Sequence, residues 1–195
     1  MTISFWFDPT CPFTWRTSRW VRDVAARRGE DVRWRFLSLA ILNEGKEIPE
    51  QYRRYHAWSQ AALRVLAAAD TRYGQQAVDS LYTAVGRRVH EDGEERGDEV
   101  IRAAVAEAGL PAELAEAAGD TGYDAMIRTS HDESQARVGT ESGSPVVAIN
   151  DGPGFFGPVV VPVPKGDDAD RLFEALRLLS TVDQFSELKR ARNPL

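Results

Sequence analysis

The chain has 195 residues, 43% of them hydrophobic and 28% charged, with a formal net charge of −6 at pH 7. These proportions are typical of a globular protein and exclude wholesale disorder, and the length is sufficient for a substantial core. The acidic balance argues against binding to nucleic-acid phosphates, which needs a clustered basic face. We interpret most arginines between Arg16 and Arg35 as solvated, with a locally positive rim for an anionic substrate or thiolate as the functional alternative.

No apolar run approaches the roughly 20 residues that cross a bilayer, and no signal-peptide pattern is present. We therefore expect a cytoplasmic protein with neither nucleic-acid nor membrane partners. The single cysteine excludes an intramolecular disulfide and argues against a thiolate zinc site. Any redox chemistry must use one thiol. The sequence leaves the oligomeric state open, with a homodimer as one alternative.

The first elements in chain order predict a β-α-β unit. The apolar run 3–7 is typical of a buried strand, which Asp8 and the proline after it end. A helix is predicted from Pro12, which suits the first helical position, to Gly29. Residues 32–36 alternate between apolar and basic side chains, as in a half-exposed strand.

The rest of the chain predicts a helical insertion followed by a hairpin and a last helix. Residues 49–137 contain only helical patterns, and strand signals return at 146–149. A turn at 150–152 leads to a second strand that continues to Val161. A final helix is predicted at 168–180. Periodicity alone thus predicts an α/β fold with a hairpin.

Cys11 lies at the junction of the first strand and the first helix. A helix N-terminus offers partial positive charge and free N–H donors, which stabilise a thiolate. We expect Cys11 to be partly exposed at the carboxyl edge of the sheet and to have a pKa below the usual value of about 8.5. A buried packing cysteine is the alternative. Thr14 stands where a Cys-x-x-Cys motif would have its second cysteine.

Motif and element order together match the thioredoxin fold with a helical insertion. We predict a thioredoxin-fold domain from residues 1–48 and 138–195, and a helical lid domain from residues 49–137. In thioredoxin-fold proteins a cis-proline faces the active-site cysteine, and the backbone before it pairs with the substrate. Ser144 and Pro145 stand at that point, although a trans proline at a strand entrance is the alternative.

Longer blocks carry a closer resemblance. The segments FWFDPTCPFTWRTSRW, SLAILNEGKEIPEQYR, LYTAVGRRVHEDG, DEVIRAAVAEAGLPAELA and GSPVVAIN resemble the DsbA-like, mycothiol-dependent reductases of actinobacteria, which include reductases of nitroaromatic compounds. The similarity spans nearly the whole chain. It implies that Cys11 is the nucleophile, that Pro145 is the cis-proline, and that Asn43 and Tyr52 bind thiol or substrate.

The chain departs from this family at the motif itself, because Phe13 replaces a tryptophan and Thr14 replaces the resolving cysteine. The family's two-cysteine reduction cycle is therefore not available to this chain. A monothiol route remains: the Cys11 thiolate attacks a mixed disulfide, and a second molecule of the small thiol removes the one left on Cys11. Thr14 would donate its hydroxyl and N–H to the thiolate, and Pro12 and Phe13 would contact the substrate.

The leading hypothesis is a cytoplasmic monothiol oxidoreductase with mycothiol as co-substrate and no bound cofactor or metal. One alternative is a transferase or isomerase in which a hydroxyl replaces the redox pair and activates a bound thiol cofactor. Another is a non-catalytic binding module.

The sequence gives weaker indications of function for other polar and aromatic residues. We interpret Asp8 as a turn-former rather than a proton-transfer group. The three histidines, His56, His90 and His131, are expected at the surface and lack metal-ligand spacing. Trp58, in the predicted lid, is the candidate contact for an aromatic substrate.

Overall fold

The computed structural model of the chain describes residues 1–140, 142–191 and 193. In this part of the chain a mixed sheet has the strand order β2-β1-β3-β4. The strands are β1 (Thr2–Phe7), β2 (Asp31–Phe36), β3 (Val146–Ile149) and β4 (Gly154–Phe156). β1 runs parallel to β2 and antiparallel to β3, which pairs antiparallel with β4. The expected β-α-β unit and hairpin are both present.

Helices make up most of the remainder. They are α1 (Pro12–Arg28), α2 (Leu39–Leu42), α3 (Glu50–Tyr73), α4 (Gln75–His90), α5 (Asp98–Glu107), α6 (Asp124–Val138) and α7 (Gly166–Leu179), with two 3-10 helices at Ala112–Gly119 and Thr121–Tyr123. Of the described residues between β2 and β3, none belongs to a strand, as predicted. No helix in the described part of the chain is both long and apolar enough to span a bilayer.

The second strand of the hairpin is shorter than predicted. It ends at Phe156, although the sequence pattern extends it to Val161. Pro158 lies in this stretch and Pro162 directly after it, and the peptide bonds before both are cis. Proline has no N–H to donate to a strand ladder, so it stops regular pairing.

The core surrounds β1. Phe5 and Phe7 are fully buried, and the Phe7 ring stacks on Tyr82 of α4 with 3.9 Å between ring centroids. Trp34 of β2 packs edge-on against both phenylalanine rings. One continuous cluster of buried side chains includes residues of β1, α3, α4 and α5, so the helices between β2 and β3 share their core with the sheet.

The open edge of β2 is covered by side chains. The Gln75 side-chain amide accepts from the Trp34 N–H at 2.6 Å and donates to the Trp34 carbonyl at 3.2 Å. The Ser130 hydroxyl accepts from the Phe36 N–H at 2.9 Å. These contacts satisfy backbone groups that would otherwise template pairing with another chain.

Helix α1, which carries the cysteine loop at its start, is fixed along its length. The Trp15 ring lies so close to Gly86 of α4 that a Cβ there would come within 2.1 Å of it. Nearer the other end, Trp20 donates its ring N–H to the Ala169 carbonyl of α7 at 3.0 Å. Gly29 then ends the helix in a left-handed conformation with φ 67°. The position of Cys11 is therefore set by helix packing as well as by the loop.

Candidate active site

Cys11 caps the N-terminus of α1 and is more buried than the sequence suggests. Its N–H donates to the Asp8 carbonyl at 3.1 Å, and its carbonyl accepts from the Trp15 N–H, the first hydrogen bond of the helix. Only 9% of the residue is exposed. The expectation of a partly exposed thiol is therefore wrong in degree: the sulfur lies at the predicted edge, beneath neighbouring side chains.

The expected low pKa of Cys11 is also contradicted. Burial raises the pKa of the thiol above its usual value, and the nearby Asp8 carboxyl adds to the rise. Hydrogen bonds from the Thr14 hydroxyl and from the N–H groups of Thr14 and Phe13 act in the opposite direction, as expected for a helix start. Burial is the larger influence, so the enclosed sulfur is a thiol, which donates to the Ser144 carbonyl at 3.6 Å.

Thr14 and Ser144 form a buried hydroxyl pair beside the sulfur. Their hydroxyl oxygens are 2.6 Å apart, and either can be the donor. Thr14 is fully buried, and its hydroxyl is within hydrogen-bonding reach of Cys11. The Ser144 hydroxyl also accepts from the Asp8 N–H at 3.1 Å. The position that lacks the second cysteine is thus occupied by a hydroxyl that a second hydroxyl orients.

The Ser144–Pro145 peptide bond is cis, and both residues are buried. The Ser144 carbonyl faces Cys11, and the Pro145 carbonyl accepts from the Gly157 N–H at 2.9 Å. This segment enters β3, the neighbour of β1 in the sheet. The Ser144–Pro145 segment and the cysteine loop therefore meet at one edge of the sheet, as the predicted thioredoxin fold requires.

Asp8 does more than terminate β1. Its fully buried carboxylate accepts from the Thr10 N–H at 2.8 Å, from the Leu39 N–H at 2.7 Å and from the Ser59 hydroxyl. It thereby ties the cysteine loop to the start of α2 and to α3. Burial raises the pKa of Asp8, and the three hydrogen bonds oppose this rise. The turn-former interpretation is incomplete, because sequence periodicity carries no signal for partners at such distances along the chain.

The three histidines are not the surface residues that the sequence predicts. His56 and His131 are buried, and the Nδ1 atom of His56 is enclosed with no hydrogen-bond partner among the described residues. His90 is partly buried, with its Nε2 2.9 Å from the Pro9 carbonyl. Burial lowers the pKa of His90 to about 4. In the described residues no cluster of His, Cys, Asp and Glu has the arrangement of a metal site.

The residues expected to contact a substrate differ in accessibility. Pro12 and Phe13 are partly exposed beside the thiol, and Tyr52 on α3 is 54% exposed. Asn43 ends α2, where its side-chain N–H donates to the Leu39 carbonyl at 2.8 Å. Trp58 is buried and donates its ring N–H to a backbone carbonyl, which leaves Tyr52 as the more accessible aromatic side chain of α3.

The functional elements that sequence reasoning missed are the Ser144 hydroxyl, the Ser59 hydroxyl and Arg96. The Arg96 Nε donates to the Thr10 hydroxyl at 2.8 Å, next to Cys11. Each of these residues reaches the site from a segment distant in sequence. The sequence marks Ser144 only through its backbone before Pro145. Serine and arginine are common in loops and on helix surfaces, so nothing in the sequence distinguished Ser59, Arg96 or the Ser144 hydroxyl.

The fold and this geometry define a DsbA-like thioredoxin-fold protein with one thiol at the start of α1. The chain belongs to the Rv2466c-like family, described as mycothiol-dependent nitroreductase Rv2466c, whose model matches residues 10–190. It is 33% identical over 198 residues to the uncharacterized protein Rv2286c of Mycobacterium tuberculosis. This match covers 99% of this chain and 83% of that protein. The predicted family is confirmed.

Solved structures of the same fold resemble the chain at low identity. The probable DsbA oxidoreductase SCO1869 from Streptomyces coelicolor has a TM-score of 0.64 and 19% identity, covering 98% of this chain and 94% of that one. The cytosolic disulfide reductase DsbM from Pseudomonas aeruginosa has a TM-score of 0.61 and 21% identity, covering 91% and 100%. A 2-hydroxychromene-2-carboxylate isomerase has a TM-score of 0.64 and 16% identity, covering 93% and 95%. At these identities the likeness establishes the thioredoxin-like fold alone.

Proposed function

We propose that the protein is a thiol–disulfide oxidoreductase that uses Cys11 alone as nucleophile and mycothiol as co-substrate. The observation that carries this proposal is the placement of Cys11, the chain's single cysteine, between the N-terminus of α1 and the Ser144 carbonyl. Membership of a family described as mycothiol-dependent supports the choice of thiol.

The reaction balances without a second cysteine. The Cys11 thiolate attacks the mycothiol sulfur of a mixed disulfide, the bond between the two sulfurs breaks, and the substrate leaves as a thiolate that takes a proton from solvent. A thiolate of free mycothiol then attacks the Cys11–mycothiol disulfide, which releases mycothiol disulfide and regenerates the Cys11 thiolate. Each cycle consumes one free mycothiol thiol and releases one substrate thiol, the two mycothiol moieties leave joined as mycothiol disulfide, and the protein returns to its starting state.

The hydroxyl pair supports the thiolate during this cycle. In the resting site the Cys11 thiol donates to the Ser144 carbonyl. Once the thiol has lost its proton to solvent, the Ser144 hydroxyl can donate to Thr14, and Thr14 to the sulfur, because the Asp8 N–H occupies an acceptor position on Ser144. Charge-assisted hydrogen bonds of this kind offset part of the cost of a buried thiolate.

Residues around the Cys11 sulfur position the substrate. In our proposal the backbone of Ser144 and Pro145 pairs with the disulfide substrate, and Pro12 and Phe13 contact it beside the thiol. Asn43 binds the mycothiol moiety on the side of α2, and Tyr52 contacts the substrate moiety on the side of α3. Both have a hydrogen-bonding group without a partner in the part of the chain that the structure describes: the Asn43 side-chain oxygen and the Tyr52 hydroxyl. We place the reaction in the cytoplasm, where thiols are kept reduced.

The test is steady-state reduction of a mycothiol mixed disulfide in the presence of free mycothiol. The wild-type protein is expected to accelerate the release of the substrate thiol, and Cys11→Ser is expected to leave only the uncatalysed rate. Catalysis that survives in Cys11→Ser would reject the proposal.

The buried hydroxyl pair favours one second candidate, a thiol-dependent transferase or isomerase. The fully buried Thr14 hydroxyl lies where a hydroxyl could activate a bound thiol cofactor in place of a redox pair, and burial holds Cys11 as a neutral thiol. Conjugation of mycothiol to chlorodinitrobenzene, a reaction with no net redox change, distinguishes this candidate. The transferase or isomerase candidate requires conjugation activity that persists in Cys11→Ser and is lost in Thr14→Ala.

A further inference from the structure

Arg96 brings a positive charge to the edge of the cysteine loop. It lies in the segment between α4 and α5, and its Nε donates to the Thr10 hydroxyl at 2.8 Å. Its Nη2 is 3.5 Å from the Thr10 carbonyl. Thr10 directly precedes Cys11, so the guanidinium is held one residue away from the thiol.

The hydrogen-bond partners of Arg96 are neutral. Asp92 and Glu94, which precede it in the chain, form ion pairs with arginines of α4 instead. Among the described residues no carboxylate pairs with Arg96, and three of its five N–H groups have no acceptor. A partly buried guanidinium with free donors is ready to bind a carboxylate, which can accept two of these N–H groups side by side.

The buried carboxylate of Asp8 does not satisfy this charge. Asp8 is close enough to favour the charged guanidinium electrostatically. Its oxygens, however, already accept hydrogen bonds from Thr10, Leu39 and Ser59. The positive charge at the loop therefore remains available to a ligand.

An aromatic ring lies directly against the guanidinium, and a second ring lies next to the first. Arg96 stacks over Tyr55 of α3 at 4.2 Å from the ring centroid. Tyr55 is partly exposed and contacts Tyr52 edge-on, with 6.5 Å between centroids. One accessible ring thus lies against a cation with free donors next to the cysteine loop, and a second accessible ring lies beside the first. This combination suits a ligand that has both an aromatic ring and a carboxylate.

We propose that Arg96, Tyr52 and Tyr55 form a binding site for the aromatic carboxylate part of the molecule that reacts at Cys11. The guanidinium pairs with the carboxylate, and the tyrosine rings pack against the aromatic ring. The proposal adds a substrate class to the proposed function and rests on it for the reacting atom, but the binding itself needs no reactive thiol.

The first test measures binding in the Cys11→Ser protein by calorimetric titration with benzoate and with benzamide, which has the same shape and no charge. We expect benzoate to bind about tenfold more tightly than benzamide. Arg96→Gln should abolish this preference. Arg33→Gln, which removes the same charge from an exposed position on β2, should retain it. Equal affinities for the two compounds, or a preference that survives in Arg96→Gln, would overturn the site.

The second test measures the reaction of wild-type Cys11, the chain's single thiol, with two aromatic disulfides. Dithiobis(nitrobenzoate) carries carboxylates, and dithiodipyridine is neutral. Arg96→Gln should slow the first reagent by about tenfold and change the second by less than about twofold. An equal loss with both reagents would make Arg96 a structural residue and contradict the proposal. A wild-type Cys11 inert to both would instead contradict the proposed function, and the benzoate titration then decides the binding site.

Discussion

At the residue scale, the protonation of Cys11 results from opposing influences. Burial and the neighbouring Asp8 favour the neutral thiol, whereas the Thr14 hydroxyl and the N–H groups at the start of α1 favour the thiolate. Since burial is the larger influence, the reactive thiolate is a minor species of the enclosed site. The groups that stabilise this species therefore control the rate of reaction.

Thr14→Ala removes the hydroxyl beside the sulfur and should raise the pKa of Cys11 further. We expect the rate of Cys11 alkylation by iodoacetamide at pH 7 to fall by about tenfold, the size of one lost hydrogen bond to a charged group. Thr14→Ser keeps a hydroxyl and should retain most of the rate. The measurement is the alkylation rate against pH, and superimposable profiles for Thr14→Ala and the wild type would remove Thr14 from the mechanism.

Ser59→Ala tests the role of Asp8 in holding the cysteine loop. The Ser59 hydroxyl lowers the pKa of Asp8, so its hydrogen bond stabilises the fold most when Asp8 is ionised, and this stability is lost as the pH falls through the folded-state pKa. We expect Ser59→Ala to lower the free energy of unfolding by about 2 kcal/mol at pH 8 and by about 1 kcal/mol at pH 4.

Urea unfolding at the two pH values measures this difference, and Ser80→Ala, a change at a partly exposed position on α4, is the control. A destabilisation by Ser59→Ala that is independent of pH would contradict the contact with an ionisable Asp8.

At the element scale, the sequence predicts the elements better than their contacts. The strands, the helices and the hairpin follow from local periodicity, and the early end of β4 follows from Pro158 and Pro162 once their missing N–H groups are considered. The burial of Cys11 could not be read locally, because it depends on Ser144, which is 133 residues away. The buried His131 lies among charged helical residues, a pattern that is typical of surfaces.

The packing of α4 on α1 gives a prediction at this scale. Gly86→Ala would place a methyl group 2.1 Å from the Trp15 ring, and the helices must move apart to accommodate it. We expect the free energy of unfolding to fall by about 2 kcal/mol, as in other overpacked cores. Gly119→Ala, where the added Cβ meets nothing within 4 Å, is the matched control. Urea unfolding curves that coincide for Gly86→Ala and the wild type would show that this contact tolerates a methyl group.

At the scale of the whole molecule, one core joins the sheet to the helices between β2 and β3. Tyr82 of α4 stacks on Phe7 of β1, and the buried cluster continues through α3 and α5. We therefore expect one cooperative unfolding transition, with tryptophan fluorescence and far-ultraviolet circular dichroism reporting the same midpoint. Two separated midpoints would show instead that the helical segment unfolds as a unit of its own.

The family and the position of the thiol could be read from the sequence because the motif residues are contiguous. The electrostatic state of the thiol could not, since the helix start argues for a low pKa while burial, set by distant segments, raises it. The same limit hid Arg96, whose contacts with Thr10 and Tyr55 join three separate parts of the chain.

Intact-protein mass spectrometry after a single turnover tests whether Cys11 alone carries a small thiol through the cycle. Wild-type protein is mixed with a mycothiol mixed disulfide in the absence of free thiol, and free mycothiol is added afterwards. We expect one mycothiol adduct per chain, released substrate thiol in equal amount, and loss of the adduct on addition of mycothiol, with no adduct on Cys11→Ser. Unmodified wild-type protein, or an adduct that mycothiol does not remove, would contradict the monothiol cycle.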